Sequence, residues 1–198
     1  RTIIPFFIGG ILGFIAGLLL VLTGPRGMLE NRLVFFVLDK VTSIFRAIPF
    51  IILLALINPF TRIIVGTGIG PTAALVPLSL AVFPFFARQV QVVLSELDRG
   101  VIEAAQASGA TFWDIVGVYL REGLPDLIRV TTVTLISLVG ETAMAGAIGA
   151  GGLGNVALTY GYQRFNHDVT ILATILILLL IFFIQFVGDF LTRKISHR

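Results

Sequence analysis

From Thr2 to Leu22 the chain carries no charged side chain, and from Val169 to Gly188 another twenty residues run uncharged between Asp168 and Asp189. A helix needs about 20 apolar residues to cross the hydrocarbon core of a bilayer, so these two stretches alone constrain the fold to a membrane-spanning one. Composition agrees. Hydrophobic residues make up 57%, charged residues only 13%, and mean hydropathy is +1.01. The charged share is about half that of a soluble domain. In lipid every backbone amide must be satisfied within its own segment, and the runs are too long for barrel strands, so the expectation is an all-α membrane protein.

Three further spans complete a set of five. Val41 to Ile57 is short and interrupted by Arg46 and Pro49. Pro71 to Ala87 holds Pro77 and Pro84, which predicts a kink, and its helix continues past Arg88 to Leu94. Pro125 to Ile148 contains Glu141 near its far end. The last helix extends from residue 169 to about residue 190. In the first span Gly9, Gly13 and Gly17 recur every fourth residue, a bare stripe for close packing with another helix or at a dimer seam. Arg46 is expected to snorkel to the headgroups from a helix end, with a ligand role as the alternative.

Between the third and fourth spans lies the longest polar-rich interval, residues 95–125. It reads as two short helices with a turn. Leu97 to Ser108 has helical composition, and Gly109 is placed to end it in the left-handed conformation of a C-cap. Thr111 and Asp114 form the spacing of a capping box that opens the second helix. Phe112, Trp113, Val116, Tyr119 and Leu120 then share an apolar stripe.

Charge orients the spans. With residues 95–125 on the cytoplasmic side, the N-terminus lies outside and the C-terminus inside. Arg26, Arg32, Lys40, Arg46, Arg88, Arg99, Arg121, Arg129, Arg193, Lys194 and Arg198 then fall inside. Only Arg1, Arg62 and Arg164 of the 14 basic residues fall outside. That split obeys the positive-inside rule, and the inverted topology violates it. It also accounts for the pI near 9.8 better than nucleic-acid binding, since the net charge is only +3 and no basic cluster exists. Residue 1 is Arg, so further residues are expected before it; the opening run lacks a signal-peptide layout and is long enough to span.

Catalytic chemistry has no foothold. There is no Cys, which excludes disulfides and thiolate sites, and His167 and His197 lack metal-ligand spacing. No Walker A sequence occurs. Glu141 is the single acid at depth, and an ionisable group there is a functional candidate by default. The alternative is a glutamate facing a watery cavity or hydrogen-bonded across a dimer seam. Gly149 to Gly154, GAGGLG, reads as a flexible loop; with no strand before it, a nucleotide fingerprint does not fit. Its glycines either reach into a partner or only relieve strain at positive φ.

Glu103-Ala104-Ala105, three residues, then Gly109 resembles the EAA loop of binding-protein-dependent ABC importer permeases. The family's Leu-Pro falls where Arg121-Glu122 stand here, and Leu124-Pro125 arrive three residues later, so the second short helix departs from the pattern. The likeness extends along the chain. Phe45-Arg46-Ala47-Ile48-Pro49-Phe50, Pro59-Phe60-Thr61-Arg62, Ile64-Val65-Gly66-Thr67, Ala143-Met144-Ala145-Gly146-Ala147 through Gly154, and Tyr160-Gly161-Tyr162 look like the permease of methionine-type ABC importers. The resemblance implies a five-helix subunit of the bacterial inner membrane that forms a homodimer. It implies two cytoplasmic ATPase subunits, which hold ATP and Mg²⁺, and an external substrate-binding lipoprotein. This chain would bind no cofactor.

By the same resemblance, Glu103, Ala104, Ala105, Ser108, Gly109, Ala110, Thr111 and Trp113 dock the ATPase. Glu141, Met144 and Gly146 lie at the gate, and Gly149, Gly151, Gly152, Leu153 and Gly154 meet the binding protein. Permeases for another small amino acid or a peptide-like substrate are the neighbouring reading. A channel or ion-coupled transporter would require more buried charge and inverted repeats. A membrane scaffold is compatible with everything but the EAA loop.

Overall fold

The computed structural model describes residues 2–196, so Arg1, His197 and Arg198 lie outside it. Among the described residues the ordered elements are all helical. α1 (Ile3–Thr23), α4 (Leu75–Ser95), α7 (Leu124–Ala145) and α9 (His167–Ser196) are each long and apolar enough to cross a bilayer.

The centre is α4. Leu78, Val82, Phe86, Val90 and Leu94 recur every fourth residue and are all buried, so one stripe of the helix forms the core. α7 supplies Leu127, Val130, Leu138 and Ala145 to the same cluster. α1 reaches it through its glycines. A Cβ on Gly9, Gly13 or Gly17 would stand 2.5–2.6 Å from the carbonyl oxygens of Ser79, Phe83 and Ala87 respectively. The stripe therefore lies against the α4 backbone within this chain. Without a water-driven force between helices in lipid, such close van der Waals approach is what holds them together. α9 is mostly exposed, burying Ala173, Gly188 and Thr192, with Gly188 pressed against Thr132 of α7.

The expected second span, residues 41–57, is not one helix. α2 (Arg32–Ala47) and α3 (Phe50–Val65) are separate, and their axes bend by 110° at Ile48-Pro49. The cause is local: a proline disfavours helical backbone in the residue before it, and Ile48 is extended at ψ 119°. α2 is too short to span alone, but with α3 it is long and apolar enough to make one broken span. It starts on Asn31, whose side chain accepts from the amides of Leu33 and Val34. It is clamped to α4 by Arg88, which donates to Asp39 Oδ1 at 2.7 Å and to Ser43 Oγ at 3.0 Å. Arg88 thus pairs with a residue 49 positions away as well as closing the apolar part of α4. The helix of the third span begins at Leu75; Pro71–Ala74 forms a turn before it.

Candidate coupling hairpin and translocation cavity

Beyond α4, α5 (Arg99–Ala107) and α6 (Phe112–Glu122) form a helical hairpin. Its turn is fully specified by hydrogen bonds. Asp98 caps α5 by accepting from Gly100 N at 2.8 Å. At the other end Gly109 N donates to Gln106 O and Ala110 N to Ala105 O, with Gly109 at φ +80°. That pair of bonds is a Schellman motif, and the positive φ is why glycine stands there. Thr111 and Asp114 close a capping box: Asp114 N donates to Thr111 Oγ1, and Thr111 N donates back to Asp114 Oδ2 at 2.8 Å. The Thr111 hydroxyl, which also donates to Asp114 Oδ2 at 2.6 Å, and the Thr111 amide together hold the Asp114 carboxyl below its ordinary range.

What the hairpin buries is as informative as how it turns. α5 buries none of its residues. A nine-residue helix is marginal on its own, so α5 rests on its caps and leaves its surface open to a partner. Glu103, Ala104, Ser108, Gly109 and Thr111 are exposed, and Ala105 and Ala110 are half-buried. Trp113 departs from the expected stripe. It is 77% exposed, set edge-on against Phe112, whereas Ile115 and Val116 are the residues α6 buries. Ile115, two positions on, projects from the opposite side of the helix, and packing through it turns Trp113 outward. Gly117 and Gly109 both leave open space where a side chain would project.

Behind the hairpin is a cavity of about 450 Å³ between α5, the end of α4 and the α1–α2 connection. Glu103, Arg99, Gln91 and Tyr119 line it with Gly27 and Phe35. Burial pushes the Tyr119 hydroxyl up, and the nearby Arg99 charge offsets this only in part.

A second cavity, about 340 Å³, opens at the α2–α3 break. Arg46, Pro49 and Phe50 line it from one side, Ala81 and Phe85 of α4 from another, and Glu141 of α7 closes it. Arg46, an exposed side chain, lines this cavity together with Glu141. Hydropathy gave no signal for that, because it averages across the break. Met144, one turn beyond Glu141, is 52% exposed.

The segment expected as a flexible loop is ordered. After α7 comes a 3-10 turn, Gly146–Ile148; Gly149 and Gly151 take positive φ, and α8 (Gly152–Asn155) runs into a π-helical turn, Val156–Gly161. Its glycines differ in kind. A Cβ on Gly146 would meet the backbone of Gly154 and Asn155, and one on Gly154 would collide with the Ala143 backbone. A Cβ on Gly152 would meet nothing, though its φ is +80°. Leu153 is half-buried between them. Arg164 stacks over Tyr160 nearby, at 4.8 Å.

Residues 9–197 match the family model described as a binding-protein-dependent transport system inner membrane component. The chain belongs to this family. The permease is 49% identical over 189 residues to the probable D-methionine transport system permease protein MetI of Pasteurella multocida (strain Pm70), covering 95% of this chain and 87% of that one. It is 49% identical over 181 residues to the methionine import system permease protein MetP of Bacillus subtilis (strain 168), covering 91% and 82%. Among solved structures, an inward-facing conformation of the MetNI methionine ABC transporter superposes with a TM-score of 0.95 at 45% identity, over 98% of the permease and 90% of that chain. An amino acid ABC transporter with histidines aligns over 98% and 88% with a TM-score of 0.78 at 16% identity, a likeness of fold alone.

Proposed function

We propose that this permease is the membrane subunit of an ATP-driven methionine importer, acting as a homodimer with two ATPase subunits and an external binding protein. The observation that carries the reading is its likeness, over nearly its whole length, to methionine permeases and to the methionine transporter structure. In this arrangement α5 and α6 are the coupling element. Their caps fix the hairpin rigidly, and the unburied α5 surface with Gly109, Trp113 and Gly117 faces the ATPase groove. ATP is hydrolysed there, on the other chain. The hairpin lies in the cytoplasm, which sets the N-terminus outside and gives five crossings when α2 and α3 together count as one broken span.

Transport follows as alternating access. ATP closes the ATPase dimer, the hairpins move with it, and the bundles of α1, α4, α7 and α9 rock as units because α1 and α4 are interlocked at their backbones. Reversing a hundredfold preference for one state requires about 5.5 kcal/mol of differential binding, which ATP on the partner supplies. Glu141, Met144 and Gly146 stand along the pathway, and Gly149 to Gly154 meet the loaded binding protein.

The test is uptake. Proteoliposomes holding the permease with its ATPase and binding protein should accumulate labelled methionine only when ATP is enclosed on the ATPase side. Entry without ATP that stops at the outside concentration would make the protein a channel, and accumulation of other amino acids alone would reassign the substrate.

A further inference from the structure

The cavity at the α2–α3 break is lined by the exposed Arg46 and the carboxyl of Glu141, and neither is taken up by an ion pair among the described residues. Among the described residues the ion pairs are Arg88–Asp39 and Arg129–Asp126, and neither involves Arg46 or Glu141. Glu141 Oε2 is buried without a hydrogen-bond partner. A buried acceptor left so is costly, and an intramembrane one marks a place where something polar passes. α3 begins at Phe50 with no side-chain cap; the amides of Ile52 and Leu53 turn back to the Pro49 carbonyl, and its positive dipole end lies at the same break as Arg46. Discontinuous helices use such ends to receive anions at membrane depth. Phe45, Phe50, Leu53 and Phe85 supply apolar wall to the same cavity. The volume, about 340 Å³, falls at the small end of the range of small-ligand pockets.

A cation and a helix N-terminus, a carboxyl group contributed by another helix, and phenyl wall in one cavity complement an α-amino acid. We propose that this cavity is a transit site within the permease. Arg46 and the α3 N-terminus face the carboxylate of the passing amino acid, Glu141 faces its ammonium group, and the phenyl rings face its side chain. This rests on the importer reading but goes beyond it, since selection by an external binding protein needs no contact inside the membrane subunit.

Photolabelling tests it. The complete permease–ATPase complex in nanodiscs, without binding protein, is irradiated with a diazirine analogue of methionine, and labelled peptides are mapped by mass spectrometry. Label is expected on residues 45–53 and 81–85. It should fall by about tenfold or more in Arg46→Gln and in Glu141→Gln, the change expected for one lost charge-assisted contact. Both variants are scored only as intact complexes recovered by ATPase co-purification. Lys40→Gln, on α2 outside the cavity, should keep the label. An acid probe lacking the amino group should respond to Arg46→Gln but not to Glu141→Gln. Label confined to other segments, no label, or label undiminished in Glu141→Gln overturns the site. So does an equal response of both probes to Glu141→Gln, which would make Glu141 a packing residue. Methionine uptake by the wild-type complex is measured alongside. Uptake without label sinks this site alone, whereas label without uptake sinks the importer reading and leaves the site standing.

Discussion

Gly109 shows how a single backbone angle separates folding from function. Its φ of +80° penalises most residues by roughly 1–2 kcal/mol, but asparagine tolerates this region, and no atom lies within 4 Å of where a side chain would start. Gly109→Asn should therefore fold almost as well as the wild type. If the hairpin docks into the ATPase at this turn, the added bulk should nonetheless release the ATPase, and undiminished co-purification would count against docking there. Asp114 gives a second test at this scale. Its pKa is depressed in the folded hairpin, so the stabilisation of the capping box is present above the ordinary 3.8 and lost as pH falls through the lowered value. Amide-exchange protection at Asp114 should hold from neutrality to pH 5 and fade only below that ordinary value. A step near pH 6 would show that another group controls the box. Both turn residues were legible in the sequence, because caps are local chemistry. Trp113 and Arg46 were not: which side of α6 packs, and what Arg46 meets, depend on contacts with distant elements.

At the level of elements, the α1–α4 contact makes the sharpest claim. A Cβ on Gly13 would stand 2.6 Å from the Phe83 carbonyl oxygen and must push the helices apart, whereas one on Gly10 would meet nothing within 4 Å. Gly13→Ala should destabilise by roughly 1–3 kcal/mol, as overpacking does. Gly10→Ala should be neutral or stabilising, since alanine is the better helix former by up to about 1 kcal/mol. Thermal unfolding in detergent, followed by size-exclusion fluorescence, compares them, and equal losses would refute the packing account. Periodicity announced this stripe but not its partner. The α2–α3 break is the opposite case. Pro49 was visible, yet the apolar run continued through it, and hydropathy has no term for a 110° change of direction. The clamp that fixes α2, Arg88 to Asp39, joins residues 49 apart and leaves no trace in any local pattern.

For the whole molecule, the uncharged runs and the sign of the loops already implied a bundle with one polar hairpin, because lipid forces both choices. The order in the segment after α7 was hidden, since glycines that free a backbone and glycines that admit a neighbour look alike in sequence. The structure separates them, and that separation allows a test of binding-protein docking. Gly154 is held against the Ala143 backbone, so Gly154→Ala should lower the yield of folded protein. Gly152 has positive φ but open space around it, so Gly152→Asn should leave yield and ATPase co-purification unchanged. If the segment only joins α7 to α9, loss of transport across the two variants should track loss of folded protein. If it engages the loaded binding protein, Gly152→Asn should abolish stimulation of ATPase activity by that partner while folding is intact, because new bulk then sits in the contact. ATPase rates in nanodiscs with and without loaded binding protein decide it. Stimulation of Gly152→Asn at the wild-type level would end the docking reading and leave this segment a turn.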